Sequence, residues 1–122
     1  MRVRAARGAI VVASDTPVAV LDATERLLGR VLERNAIATD DLISILFTAT
    51  EDLRAAFPAE AARRMGLGTV PLLCAREIPV PGSLPSVVRL LLHFHSERTL
   101  ADVEHVYLDG AESLRDDLDT AT

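Results

Sequence analysis

The chain has 122 residues, 49% of them apolar and 25% charged, which is an ordinary balance for one folded domain with a single core. Its formal net charge is −5, its basic residues are all arginine, and it has no Trp, one Tyr and three Phe. A surface that binds nucleic acid needs clustered positive charge or stacking aromatic side chains, so this composition argues against nucleic acid as a partner. We expect one domain that spans residues 1–122.

The single cysteine, Cys74, precludes an internal disulfide bond and fits a reducing compartment. The basic start of the chain lacks the uninterrupted apolar stretch of a signal peptide. No apolar run approaches the ~20 residues that cross a bilayer. These features predict a cytoplasmic protein with no membrane partner.

The apolar spacing and the turn residues divide the chain into five strands and two helices. Thr16 and Pro17 form a typical helix start, with a capping hydroxyl before a proline, and Asn35 is a plausible end. Pro58 opens a second, short helix through Met65, where glycine follows. The predicted strands are, in chain order, residues 2–13, 42–47, 69–77, 86–96 and 105–108.

This element order predicts an α/β (α+β) fold with a mixed five-stranded sheet, one long helix and one short helix. Two helices of this size cannot cover both faces of such a sheet, although Leu90, Leu91 and Leu92 make one strand apolar on both faces. The uncovered face therefore predicts a homo-oligomer with ligand sites in the clefts between its subunits. The polar segment from Gly110 onward should be the most mobile part of the chain.

The most informative residue is Arg89, which lies in the apolar run 87–92 with no acidic residue within seven positions on either side. A guanidinium stays charged at any working pH, so burial cannot neutralise it and it must find an anion. Arginine also fits a carboxylate well, because its planar fork matches two oxygens at once. Arg89 and three further arginines therefore form a candidate clamp for a small polyanion, the others being Arg7, Arg63 and Arg115.

Three other residue types are candidate functional groups. Glu77 ends a predicted strand before a Pro/Gly-rich loop, where it could bind a ligand or pair with Arg76 or a strand arginine. Cys74 fits a small core residue better than a nucleophile. A metal site formed by His93, His95 and His105 is conceivable, but no acidic residue is interleaved to orient them, so we predict no metal.

Several blocks of the sequence resemble the monofunctional chorismate mutases of the AroH class. The first blocks are Arg7-Gly8-Ala9, the stretch from Thr48 to Ala59, and Val70-Pro71-x-x-Cys74-x-x-Glu77. In the same order follow Arg89, His105-Val106-Tyr107-Leu108 and Leu114-Arg115-x-Asp117-Leu118. The resemblance spans nearly the whole chain, and its specific parts are the block from Thr48 to Ala59 and the Cys-x-x-Glu spacing.

The resemblance implies a homotrimer of small α/β subunits whose strands form a barrel-like core, with active sites between subunits. It implies rearrangement of chorismate to prephenate in tyrosine and phenylalanine biosynthesis. This reaction is a pericyclic Claisen shift that needs no cofactor, metal or covalent intermediate. Chorismate carries two carboxylates, an ether oxygen and a hydroxyl, which suits a pocket of several arginines and one glutamate.

The same resemblance assigns roles to individual residues. Arg89 would hydrogen-bond the ether oxygen as its C–O bond breaks, and Glu77 would accept a hydrogen bond from the ring hydroxyl. Arg7 and Tyr107 would hold the carboxylate of the enolpyruvyl side chain. The remaining substrate-binding residues would be the backbone of Cys74, the apolar wall Phe57, and, at the mouth, Arg63, Leu114 and Arg115.

Two positions depart from the family pattern. Glu60 stands where a lysine is expected near the mouth, and Leu73 replaces a threonine beside Cys74. Two rival functions remain open at this stage. One is an enamine/imine deaminase of related trimeric fold, which also binds a carboxylate through a strand arginine. The other is a non-catalytic sensor of small acids.

Overall fold

The computed structural model describes residues 1–115, which form one mixed five-stranded sheet with two α-helices. The strands are β1 (Arg2–Val11), β2 (Leu42–Ala49), β3 (Leu72–Arg76), β4 (Val87–Ser96) and β5 (Val106–Leu108). The helices are α1 (Pro17–Arg34) and α2 (Ala59–Arg64). The strand order is β3-β2-β4-β1-β5, in which β4 runs antiparallel to both β1 and β2, and the two outer pairs are parallel. The predicted mixed sheet with one long and one short helix is confirmed.

Helix α1 forms where its local signals predict it. The hydroxyl of Thr16 accepts a hydrogen bond from the backbone N–H of Ala19 at 3.1 Å, and Pro17 is the first helical residue. Asn35 ends the helix and is buried. Its polar side chain is satisfied there because it exchanges hydrogen bonds with the backbone N–H and C=O of Glu104. The end of α1 is thereby tied to the segment that leads into β5.

All five predicted strands differ from the observed strands by one to three residues at an end; the second, for example, extends to Ala49 instead of residue 47. The first strand ends at Val11 and not at residue 13, and the third begins only at Leu72. The residues before β3 are used in a turn, in which the N–H of Val70 donates to the carbonyl of Leu67. Glu77 lies just beyond the end of β3, but its N–H still donates to the carbonyl of Ala49 at 3.0 Å.

The main core lies between the helices and one face of the sheet. Strand β1 packs closely against helix α1 at Gly8. A Cβ at this position would lie 3.1 Å from Leu27 and 3.2 Å from Val31 of α1. Buried side chains from the sheet, among them Phe47 and Phe94, complete this core. Among residues 1–115, neither α-helix combines the length and the apolar character that a membrane span requires.

The opposite face of the sheet, here called the open face, carries the alternate residues of each strand. Its apolar side chains are partly exposed, with Val3, Leu73 and Leu91 at 57%, 61% and 36%. One end of this face is covered by a short 3₁₀ turn, Ala111–Leu114, in which Ala111 is buried against Ala9 and Val87. The uncovered sheet face that the sequence predicts is therefore present, except at this end.

The 3₁₀ turn also bears on the prediction that the chain becomes most mobile from Gly110. Ala111 is fully buried, and the N–H of Gly110 donates to the carboxylate of Glu112 at 2.8 Å. The first residues of the segment are therefore anchored to the sheet, through an alanine that sequence reasoning did not single out. The rest of the prediction, including Asp117 and Leu118, lies outside the described residues.

Candidate active site

The register of the sheet places four residues side by side across the open face. Thr48 of β2 pairs with Arg89 of β4, Arg89 pairs with Ala9 of β1, and Ala9 pairs with Tyr107 of β5. Directly paired residues in a sheet point to the same face. Arg89 therefore lies at the centre of the open face, and its side chain is 39% exposed.

Arg89 meets its anion at the end of β3. Its Nε lies 3.1 Å from Oε2 of Glu77, whose side chain is only 17% exposed. The predicted need for an anion is thus met within the chain. The alternative prediction, that Glu77 pairs with Arg76, is wrong. The guanidinium of Arg76 donates instead to the carbonyls of Thr50 and Leu53.

Thr48 completes this group, and sequence reasoning gave it no role. Its hydroxyl donates to the same oxygen, Oε2 of Glu77, at 2.6 Å. The signal that could have found it is the alternation of β2, in which Ser44, Leu46 and Thr48 share a face. Thr48 and Arg89 together hold the Glu77 carboxylate in one orientation.

The Arg89–Glu77 pair retains hydrogen-bonding capacity. The buried Nε of Arg89 forms an ion pair with Glu77 but makes no hydrogen bond to any of the described residues, 1–115. A buried donor left in this way is costly, whereas the side chain as a whole is 39% exposed, so other parts of the guanidinium can meet a ligand. A fixed guanidinium next to a fixed carboxylate suits a ligand that has a hydroxyl and an oxygen on which negative charge develops.

A second group forms around His105, at the start of β5. The backbone N–H of Arg7 donates to Nδ1 of His105 at 2.9 Å, so the neutral ring carries its proton on Nε2. Partial burial lowers the pKa of His105, and the nearby charges of Arg7 and Arg115 lower it further. Tyr107 and Leu114 both contact the small cluster on the open face. The structure therefore brings together Arg7, Tyr107, Leu114 and Arg115, around a histidine that sequence reasoning had considered only as a metal ligand.

Two of the three histidines, His93 and His105, take part in hydrogen bonds. His93 lies 3.2 Å from the hydroxyl of Ser44, while His105 is on the far side of β1. In the part of the chain that the structure describes, no three His, Cys, Asp or Glu side chains are grouped to hold a metal ion.

A third group of predicted residues lies beside β3. Phe57, 75% exposed, lines a cavity of about 560 Å³ together with Cys74. The Cys74 side chain contacts the main core, and its sulfur accepts a hydrogen bond from the N–H of Ala59 at 3.4 Å. Its position fits the predicted small core residue, although the side chain is only partly buried.

The first and third of these groups line different cavities in one chain. Glu77 lines a different cavity, of about 270 Å³, beside the loop that contains prolines 79, 81 and 85. Arg63 pairs with Glu60 at 3.0 Å on the exposed side of α2. Glu60 therefore partly neutralises the charge of Arg63.

The chain is similar to known proteins over nearly its whole length. The family model for chorismate mutase type I matches residues 3–118. The chain is 52% identical to the chorismate mutase AroH of Thermus thermophilus over 120 residues, which cover 98% of each chain. It is 36% identical to chorismate mutase AroH of Bacillus subtilis (strain 168) over 119 residues, which cover 97% of this chain and 94% of the relative. A solved chorismate mutase from Clostridium thermocellum superposes with a TM-score of 0.89 at 44% identity, covering 90% of this chain and 98% of that one.

Proposed function

The chain belongs to the chorismate mutase type I family, and we propose that it rearranges chorismate to prephenate at the open face of its sheet. Family membership rests on the match over residues 3–118 and on relatives at 52% and 36% identity. The observation that carries the location of the site is the Arg89–Glu77–Thr48 group. The reaction belongs to tyrosine and phenylalanine biosynthesis.

The Claisen rearrangement moves electrons in a ring and transfers no proton. The ether C–O bond of chorismate breaks while a new C–C bond forms, and negative charge builds on the ether oxygen. Arg89 acts as the cation fixed at that oxygen before reaction; its Nε is buried beside Glu77, but the side chain as a whole is 39% exposed on the open face. Because the charge appears mainly in the transition state, this interaction lowers the barrier more than it strengthens substrate binding.

Glu77 accepts a hydrogen bond from the ring hydroxyl of the substrate. Its Oε2 is already used by Thr48 and Arg89, and its Oε1 takes part in neither contact. Holding the ring in this way favours the folded substrate shape in which the two reacting carbons approach each other. The backbone of Cys74 provides a further contact beside Glu77.

The two substrate carboxylates are bound by the remaining arginines. Arg7 and Tyr107 take the carboxylate of the enolpyruvyl side chain, which fits their place near His105 on the open face. Arg115 and Arg63 lie at the mouth near the ring carboxylate. The apolar walls of the pocket are Phe57 and Leu114.

The active site is completed between subunits of a homotrimer. Supporting this, Phe57 and Glu77 line different cavities of one chain. The open face also carries exposed apolar side chains that a second copy would cover, such as Leu73 and Leu91. Each subunit of the trimer is then a single domain of residues 1–122. The single thiol of each subunit fits a location in the cytoplasm.

The test is incubation of the purified chain with chorismate, following loss of the substrate's ultraviolet absorbance and appearance of prephenate. Turnover to prephenate without added metal or cofactor is the expected result. Binding of chorismate without turnover would instead indicate a sensor of small acids. Release of ammonia from an imino acid would indicate a deaminase.

A further inference from the structure

The residue that precedes β4 has an unusual backbone conformation. Ser86 has a φ of +58°, in the left-handed region that residues other than glycine seldom adopt. The carboxylate of Asp52 accepts hydrogen bonds from the backbone N–H of Ser86 at 2.9 Å and from its hydroxyl at 2.8 Å. The carbonyl of Ser86 accepts from the N–H of Val12 at 2.7 Å. A conformation of this kind persists only where its surroundings hold it, as Asp52 and Val12 do here.

The contact from Asp52 belongs to a larger connection between β2 and β4. Thr50 exchanges two hydrogen bonds with Val87, one through its hydroxyl and one through its backbone N–H, both at 3.0 Å. Ala49, next to Thr50, accepts the hydrogen bond from the N–H of Glu77. The segment 49–52 therefore holds both the start of β4 and the backbone of Glu77.

We propose that Asp52 is a positioning residue for the rearrangement, which acts by fixing Ser86 and thereby the place of Arg89 relative to Glu77. Arg89 follows Ser86 by three positions, so a shift at the start of β4 moves the guanidinium on the open face. Small displacements of a catalytic group have large effects on rate, since the group must meet the developing charge. This inference rests on the proposed function.

The state of the Asp52 carboxyl agrees with this role. A hydrogen bond from the Thr50 side chain, and others from Ser86, lower its pKa against the opposing effect of burial. Asp52 is therefore a carboxylate at neutral pH and accepts from Ser86 with the strength of a charged acceptor.

The first experiment compares Asp52→Ala with the wild type at saturating chorismate. We expect kcat to fall by about 10- to 100-fold while KM changes little, because the substrate carboxylates are held by other residues. The matched control is Thr16→Ala, which removes the cap of α1 and destabilises the chain without touching the open face. Circular dichroism and the melting temperature show whether each variant is folded at the assay temperature.

A second substitution separates positioning from general stability. Glycine adopts positive φ without strain and keeps the backbone N–H, so Ser86→Gly in the Asp52→Ala background should restore most of kcat. Amide hydrogen exchange of residues 87–89 should rise in Asp52→Ala and fall again in the double variant. If Asp52→Ala does not fold, Asp52→Asn replaces it in this comparison. Asparagine is a neutral and weaker acceptor, so the expected fall in kcat is smaller.

The outcomes separate this inference from the proposed function. An active wild type with an Asp52→Ala kcat within about twofold of it would overturn the positioning role alone. A fall in kcat that Ser86→Gly does not reverse, or an equal fall in Thr16→Ala, would overturn it as well. A wild type that leaves chorismate unchanged would overturn the proposed function and the inference with it.

Discussion

Arg89 and Glu77 meet through a single carboxylate oxygen, with Nε of Arg89 3.1 Å from Oε2 of Glu77. Thr48 donates to that same oxygen at 2.6 Å. The pair is partly open to solvent, so it contributes little to the stability of the fold. Its value is geometric, because it sets the relative positions of a cation and a carboxylate before any ligand arrives.

The first prediction concerns pH. Glu77 should act by accepting a hydrogen bond and not by moving a proton, since the Claisen shift transfers none. The rate at saturating chorismate should then be nearly flat above about pH 7, where aspartate and glutamate are ionised and histidine is neutral. The measurement is kcat against pH together with a comparison in deuterated water. A large solvent isotope effect on the chemical step would contradict the pericyclic mechanism.

The second prediction concerns Arg115 at the mouth of the site. Arg115→Ala should raise KM more than it lowers kcat, because a residue that binds a distant carboxylate holds substrate and transition state about equally. The control is Arg30→Ala, an exposed arginine on α1. A fall in kcat with KM untouched would contradict a binding role for Arg115.

Local signals account for the elements that the sequence predicted well. Helix α1 is encoded by Thr16, Pro17 and Asn35 through contacts within four residues along the chain, although the Asn35 side chain also bonds the distant Glu104. The ends of the first and third strands were less accurate because strand limits depend on pairing with distant partners. Pro71, for example, accepts a hydrogen bond from Ile45 but has no N–H to donate in return, and β3 begins only after it.

The active-site contacts show the same limit more clearly. The sequence indicated that Arg89 needs an anion. The pairing with Glu77 depends on the strand order β3-β2-β4, in which β3 and β4 lie on either side of Thr48 in β2. The contact of Arg7 with His105 joins residues 98 positions apart. Neither contact leaves a local pattern: the alternation of β2 indicates only the face on which Thr48 lies, and the partners of Thr48 and His105 follow from the fold.

The third prediction concerns assembly. The wild type should sediment as a trimer, and Leu91→Arg should dissociate it, because the change places a second cation beside Arg7 on the open face. Activity should be lost with assembly if each site draws on two subunits. Val18→Arg is the matched control, as Val18 is an exposed apolar residue on α1. A stable and fully active wild-type monomer would refute the trimeric site.

The fourth prediction follows from His105. Its folded-state pKa lies below the ordinary value of 6.5, so the unfolded chain takes up this proton first as the pH falls. The free energy of unfolding should therefore decrease from near the ordinary pKa downward, and level off below the folded-state pKa. Protonation would also break the hydrogen bond from Arg7, since Nδ1 is its acceptor.

This decrease is measured by denaturant unfolding at fixed protein concentration, between about pH 7 and about pH 5. His105→Gln is the reference, because glutamine can accept a hydrogen bond and does not titrate. The wild type should lose stability relative to this variant as the pH falls. Parallel curves for the two proteins would show that His105 does not titrate differently in the folded and unfolded chains.

The fifth prediction is that Arg89 makes the largest single contribution to catalysis. Removing one fixed donor to a developing negative charge costs roughly 3–4 kcal/mol, or about 10²–10³ in kcat, so Arg89→Ala should lose most turnover while remaining folded. Arg89→Lys should not restore full activity, because an ammonium lacks the planar fork of a guanidinium. The double variant Arg89→Ala/Glu77→Gln tests whether the loss arises merely from leaving the Glu77 carboxylate without its cation. If that variant regains activity, or if a well-folded Arg89→Ala stays within about tenfold of the wild type, Arg89 is a structural partner of Glu77 and the catalytic cation lies elsewhere.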